Sequence, residues 1–138
     1  MLWRKFAKTR HKIIHDLPIG GAGCGPVDFR TEGLNFIVTI HDVGRSGQSK
    51  IDITFEGFTA FRFRAELYSK DFLPGSYDCV CEILESDWVA QMIRDRPKGL
   101  PYLDMRHFAV LLSDTGYLEV ACENLHVFTP TDEPSDTA

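Results

Sequence analysis

Apolar residues recur at every second position in several separate stretches of this chain, and that period of two is the feature that most limits what it can fold into. Leu34, Phe36, Val38 and Ile40 alternate with Asn35, Thr39 and His41, and Ile51, Ile53 and Phe55 alternate with Asp52 and Thr54. Tyr77, Cys79, Cys81 and Ile83 follow the same rule. Successive side chains of a strand point to opposite faces, so each stretch predicts a half-buried β-strand rather than a helix.

Turn chemistry suggests how these strands connect. Gly44–Ser49 reads as an exposed turn. Gly57-Phe58-Thr59 is read as a three-residue hairpin loop, which sets Phe55 beside Phe61 and Ile53 beside Phe63 on one face, with Asp52 beside Arg64 and Thr54 beside Arg62 on the other. Asp114-Thr115-Gly116 is read as a second such loop, pairing Leu112 with Leu118, Val110 with Val120 and Phe108 with Cys122. Ala109 and Leu111 give the first strand of that hairpin a second apolar face, as expected of a central strand.

Two segments have helical spacing. Ser86 is a good N-cap, Asp87 follows it, and Trp88, Val89, Met92 and Ile93 recur at helical intervals until Pro97. Nearer the start, Trp3, Phe6, Ile13 and Leu17 fall at steps near three and four among basic residues, which predicts a basic amphipathic helix within residues 1–17. The glycine-rich run at 19–27 then reads as a connector, and residues 129–138, short, acidic and Pro-containing, as a disordered tail. The expected fold is α+β: a mainly antiparallel β-sheet or sandwich of about five or six strands, with an N-terminal helix and one short helix near residues 87–95. A chain of 138 residues suits a single domain, here residues 1–128.

Composition narrows the function classes. With 43% hydrophobic and 25% charged residues the chain can bury a core. It has no run of ~18 apolar residues to span a membrane, and the opening MLWRKFAKTRHK lacks the apolar stretch of a secretory signal, so a cytoplasmic location is expected. Cys24, Cys79, Cys81 and Cys122 are accordingly read as reduced thiols. Residues 1–16 hold five bases against one acid, a local +4, so −9 falls on the rest of a chain whose formal charge is −5. Such a body repels phosphate backbones and attracts a basic surface. The expected partner is therefore a protein with a basic surface, and neither nucleic acid nor a membrane.

No motif names a reaction. Gly20 and Gly25 have the spacing of a phosphate-binding loop, but Pro26 and Val27 stand where Lys and Ser or Thr are required. His11 and His15 are four apart, yet Lys12 replaces the glutamate that a zincin helix places after its first histidine. Cys79 and Cys81 share a strand face, with Cys122 on the closing hairpin, and strand packing accounts for their spacing better than a zinc site does. His41 with Asp42, and His107 with Asp104 or Asp114, are pairs that a small hydrolase or ligand-binding enzyme would use, without a nucleophile elbow to support them. No cofactor, metal site or catalytic set is expected. Glu82, Glu85, Asp87, Asp114, Glu119 and Glu123 lie on or beside the C-terminal strands and helix, and form the expected partner-binding set.

The segments ITFEGFTAFRFRAE, CEILESDWV and RHFAVLLSDTGYLEVACENLHVF, about half the chain, resemble small bacterial immunity proteins of polymorphic or contact-dependent toxin systems. The closing hairpin of those proteins is similar to His107–Ala121 here. The resemblance implies a non-catalytic protein that neutralises a cognate toxin domain by stoichiometric binding, and it brings no catalytic residue with it.

Overall fold

The computed structural model describes residues 10–17, 25–41, 50–65, 78–98, 104–112 and 115–128. Among them are nine strands and one helix. The strands are β1 (His11–Asp16), β2 (Val27–Glu32), β3 (Asn35–His41), β4 (Lys50–Glu56), β5 (Ala60–Ala65), β6 (Cys79–Ile83), β7 (Arg106–Leu112), β8 (Gly116–Cys122) and β9 (Asn124–Phe128); the helix, α1 (Asp87–Asp95), follows β6. They form two antiparallel sheets, a five-stranded one in the order β1-β6-β7-β8-β5 and a four-stranded one in the order β2-β3-β4-β9. Both expected features, a mainly antiparallel architecture and one short helix near residues 87–95, are present, but the strands outnumber the five or six expected.

The alternation explains the layering. Phe36, Val38 and Ile40 of β3 with Ile51, Ile53 and Phe55 of β4 supply one wall of the core. Val80 of β6, Phe108, Val110 and Leu112 of β7, and Leu118, Val120 and Cys122 of β8 supply the other. The two sheets therefore pack inner face to inner face as a sandwich. The five-stranded sheet has a second apolar patch on its outer face, made of Cys79, Cys81, Ile83, Ala109, Leu111 and Tyr117. Two apolar faces are what a central strand needs, and β7 lies in the middle of its sheet.

Three local expectations are corrected. First, residues 11–16 are a strand, not part of a helix; residues 1–9 lie outside the described residues. β1 pairs with β6 along the sheet edge, and a register irregularity between Ile13 and His15 inserts an extra residue there. Ile14 consequently packs on the core with Leu17 while Ile13 faces outward, so the four-residue step from Ile13 to Leu17 does not mark one buried face. The β-branched pair Ile13-Ile14 also favours the extended form.

Second, the residues on either side of Gly57 do not make a hairpin. β4 pairs with β3 and β9, β5 pairs with β8, and the loop 57–59 carries the chain from one sheet to the other. Gly57 has φ 61, and the loop is fixed by Phe58 N–H donating to the Leu34 carbonyl (3.0 Å) and Thr59 N–H donating to that of Ala121 (2.8 Å). Phe55 and Phe61 still face inward as the alternation requires, but from opposite sheets. Asp52 is bonded to Thr39 and Arg62 to Glu119, in place of the expected Asp52–Arg64 and Thr54–Arg62 pairs. Third, the closing hairpin is offset by two residues: Val110 faces Leu118, Phe108 faces Val120 and Arg106 faces Cys122. A shift of two preserves the faces, which is why the apolar pattern does not distinguish the two registers. Of the expected connector at 19–27, residues 19–24, Cys24 among them, lie outside the described residues, as does the tail from 129, while its last residue, Val27, begins β2.

Gly116 sets how closely β5 approaches β8. A methyl group there would run into the Arg64 backbone carbonyl and the Phe63 ring. Gly116→Ala is expected to displace β5 and lower unfolding stability by about 1–3 kcal/mol, measurable by urea denaturation.

Candidate functional site

The outer face of the five-stranded sheet holds a connected set of polar side chains. After β6 the chain turns at Glu85, whose φ of 57 is unusual for a residue with a Cβ, and reaches Ser86 at the N-cap of α1. The Ser86 hydroxyl oxygen accepts the Val89 N–H at 3.1 Å. It also lies 2.7 Å from Nδ1 of His107 on β7. Nε2 of His107 is 2.9 Å from Oε1 of Glu119 on β8. Arg62 on β5 grips the same carboxylate with two bonds, Nε to Oε2 at 2.6 Å and NH2 to Oε1 at 2.9 Å. Trp88, in the first turn of α1, stands edge-on to His107 (5.0 Å between centroids), and the Arg62 guanidinium sits 4.3 Å from its ring centre.

The register creates this network. Glu119 faces Ala109 on one side and Arg62 on the other, and His107 faces Ala121, so His107 and Glu119 are diagonal neighbours on one face. The small side chains of Ala109 and Ala121 leave the space in which the two polar groups meet. His107 and Glu119 are 4% and 6% exposed, so the carboxylate meets its partners rather than water. Burial, the largest single influence on Glu119, pushes its pKa up, but the hydrogen bonds from His107 and Arg62 outweigh it and hold the carboxyl at about 2. An ionised carboxylate only accepts, so Nε2 of His107 carries a proton toward it. In a neutral imidazole Nδ1 accepts the Ser86 O–H, and in a protonated one its N–H donates to the Ser86 oxygen. Beside Arg62 and Glu119, Phe63, Arg64 and Tyr117 complete the lining of an open cleft of about 260 Å³.

Of the six acidic residues expected to form one partner surface, five lie among the described residues, and two of these are buried. Glu119 is buried in the network above. Glu82 is buried on the inner side of β6, held by Arg106 through bonds of 2.9 and 2.8 Å, with Lys12 at 3.6 Å. Those bonds from Arg106 lower its pKa against the opposing effect of burial. Both carboxylates are thus paired with cations of this chain. Glu85 is exposed and paired with Arg10 at 3.0 Å, Asp87 is exposed in the first helical turn, Glu123 is exposed beside Gly57, and Asp114 lies outside the described residues. Among the described residues the acid bonded to His107 is Glu119, and His41 bonds Asp28 at 2.8 Å. Cys79 and Cys81 face outward while Cys122 faces the core, so these thiols do not converge. Burial pushes the Cys79 and Cys122 thiols up to about 12, which keeps both protonated.

A second feature lies where the β2–β3 turn, the loop 57–59 and β5 meet. Gly33, with φ 60, takes the first central position of a two-residue turn, which leaves Leu34 at its tip, 76% exposed. Phe58 bonds back to this turn, and its ring lies 5.7 Å from that of Phe36, which is in turn 4.4 Å from Phe61 and 5.9 Å from Phe29. Phe63 closes the series at 5.2 Å from Phe29. Phe29, Phe61 and Phe63 are 36%, 45% and 38% exposed. Glu32, Glu56 and Glu123 border the turn and the loop, Glu123 touching Gly57. The result is an apolar ridge with a carboxylate rim.

The chain matches no family model, no curated protein and no solved structure.

Proposed function

We propose that this protein acts by one-to-one binding to another protein, and that the ridge of Leu34, Phe29, Phe61 and Phe63 is the binding surface. The exposed ridge is the observation that carries this reading. Soluble monomers seldom leave neighbouring large apolar side chains uncovered, and aromatic anchors at the centre of a polar rim are the usual composition of a protein interface. Glu32, Glu56 and Glu123 make that rim acidic. Glu32 and Glu56 have exposed partners, Arg30 and His126, and such solvated pairs are weak enough to exchange for a partner's cations. The partner is therefore a protein with an apolar groove edged by Lys and Arg, not a nucleic acid. The resemblance to immunity proteins supplies a biological setting, in which the partner is a toxin domain with a basic cleft.

Co-expression with the product of the gene adjacent to its own tests this. An immunity protein restores growth against a toxic neighbour. Leu34→Asp with Phe61→Ser, at positions 76% and 45% exposed, is expected to abolish rescue, with circular dichroism confirming that the variant is folded. Rescue that persists in this double variant removes the ridge from the mechanism.

A further inference from the structure

The polar network on the other face contains more than a helix cap requires. An N-cap serine needs only its oxygen, to accept an N–H of the first turn, and its own proton ordinarily goes to water. Here the hydroxyl oxygen also lies 2.7 Å from Nδ1 of a histidine, whose other nitrogen is 2.9 Å from a carboxylate. That is the connectivity of a nucleophile, a general base and an orienting acid. The helix also leaves the N–H groups of Asp87 and Trp88 without intrahelical acceptors, one and two residues beyond the serine, and its dipole favours negative charge at this end. Ser86 itself is only partly buried, so its oxygen lies near the surface while the base and the acid are enclosed.

We propose that Ser86 is a nucleophile toward activated carboxylic esters, with His107 as its general base and Glu119 as the residue that positions the imidazole. The Ser86 Oγ attacks the ester carbonyl carbon as its proton moves to Nδ1 of His107. The carbonyl π electrons pass to the oxygen, which the Asp87 and Trp88 N–H groups receive. Collapse of that intermediate breaks the bond to the leaving alcohol, which takes the proton from His107 and leaves an acyl group on Ser86. Water, deprotonated by the same nitrogen, then releases the acid and restores the serine. The proposal does not rest on the ridge, although Phe63 of the ridge lines the same cleft as Arg62 and Glu119.

The test is incubation of the full chain with a fluorophosphonate and, separately, with 4-nitrophenyl acetate, followed by peptide mass spectrometry. A single adduct on Ser86 is expected, formed at a rate that rises with pH to a plateau. His107→Gln should slow labelling at least ~100-fold, within the range ascribed to a general base. Ser86→Ala, which loses the cap and the contact with His107, should remain folded and unlabelled, and serves where the His107 variant fails to fold. No adduct on Ser86, or labelling of folded His107→Gln at the wild-type rate, overturns the assignment and leaves Ser86 as a cap.

Discussion

Glu119→Ala is expected to remove about 3–5 kcal/mol of unfolding stability, because it strips the shared acceptor from a buried histidine and from Arg62. The cost should depend on pH in a defined direction. The Glu119 carboxyl sits at about 2 in the folded protein against an ordinary 4.5. A depressed carboxyl contributes stability that is complete above the unfolded value and is lost as pH falls through the folded one. The shift corresponds to about 3 kcal/mol, present at neutral pH and fading between about pH 4.5 and pH 2. Urea unfolding of wild type and Glu119→Ala at pH 7, 4 and 2.5 checks this: the gap should narrow as pH falls. An equal gap at all three values would mean that the carboxylate's charge does not stabilise the fold.

Phe36→Ala should cost a similar amount, about 3–5 kcal/mol, for a different reason. Phe36 is 1% exposed and its ring meets those of Phe29, Phe55, Phe58 and Phe61 at 4.4–6.2 Å. Deleting it opens a cavity where the two sheets and the loop 57–59 come together, and it also loosens the support of the ridge. Phe128→Ala is the control. That ring is 53% exposed on a terminal strand and should change stability by no more than ~0.5 kcal/mol. Thermal or urea denaturation of the two variants side by side would show whether the aromatic cluster is core or decoration.

Elements governed by local chemistry were legible in the sequence. Ser86 caps a helix over Asp87–Asp95 as its spacing predicts, and the inward faces of β3, β4 and β7 follow the period of two. Pairing was less so, because alternation assigns a face but not a partner. The inward Phe55 and Phe61 fit equally a hairpin in one sheet and a crossover between two, and only the contacts of loop 57–59 with Leu34 and Ala121 decide. The polar network was hidden by a register error. Pairing Phe108 with Cys122 separates His107 from Glu119, whereas the observed offset makes them diagonal neighbours. The hairpin expectation sets Arg62 beside Thr54, whereas its partner Glu119 lies 57 residues away on a strand it meets only in three dimensions. Counting carboxylates for a docking surface overlooked that Glu82 and Glu119 have internal cations. The ridge carried a faint signal in the density of phenylalanine between 55 and 63, but exposure depends on where a sheet ends.

The central claim, one-to-one binding through the ridge, is tested most directly by isothermal titration calorimetry of the purified protein against the product of its adjacent gene. The account predicts a stoichiometry of one, affinity that weakens as salt rises, and at least ~10-fold weaker binding for Leu34→Asp with Phe61→Ser, since central anchors typically contribute more than ~1.4 kcal/mol each. No heat of binding, or an affinity unchanged by that double substitution, would contradict it.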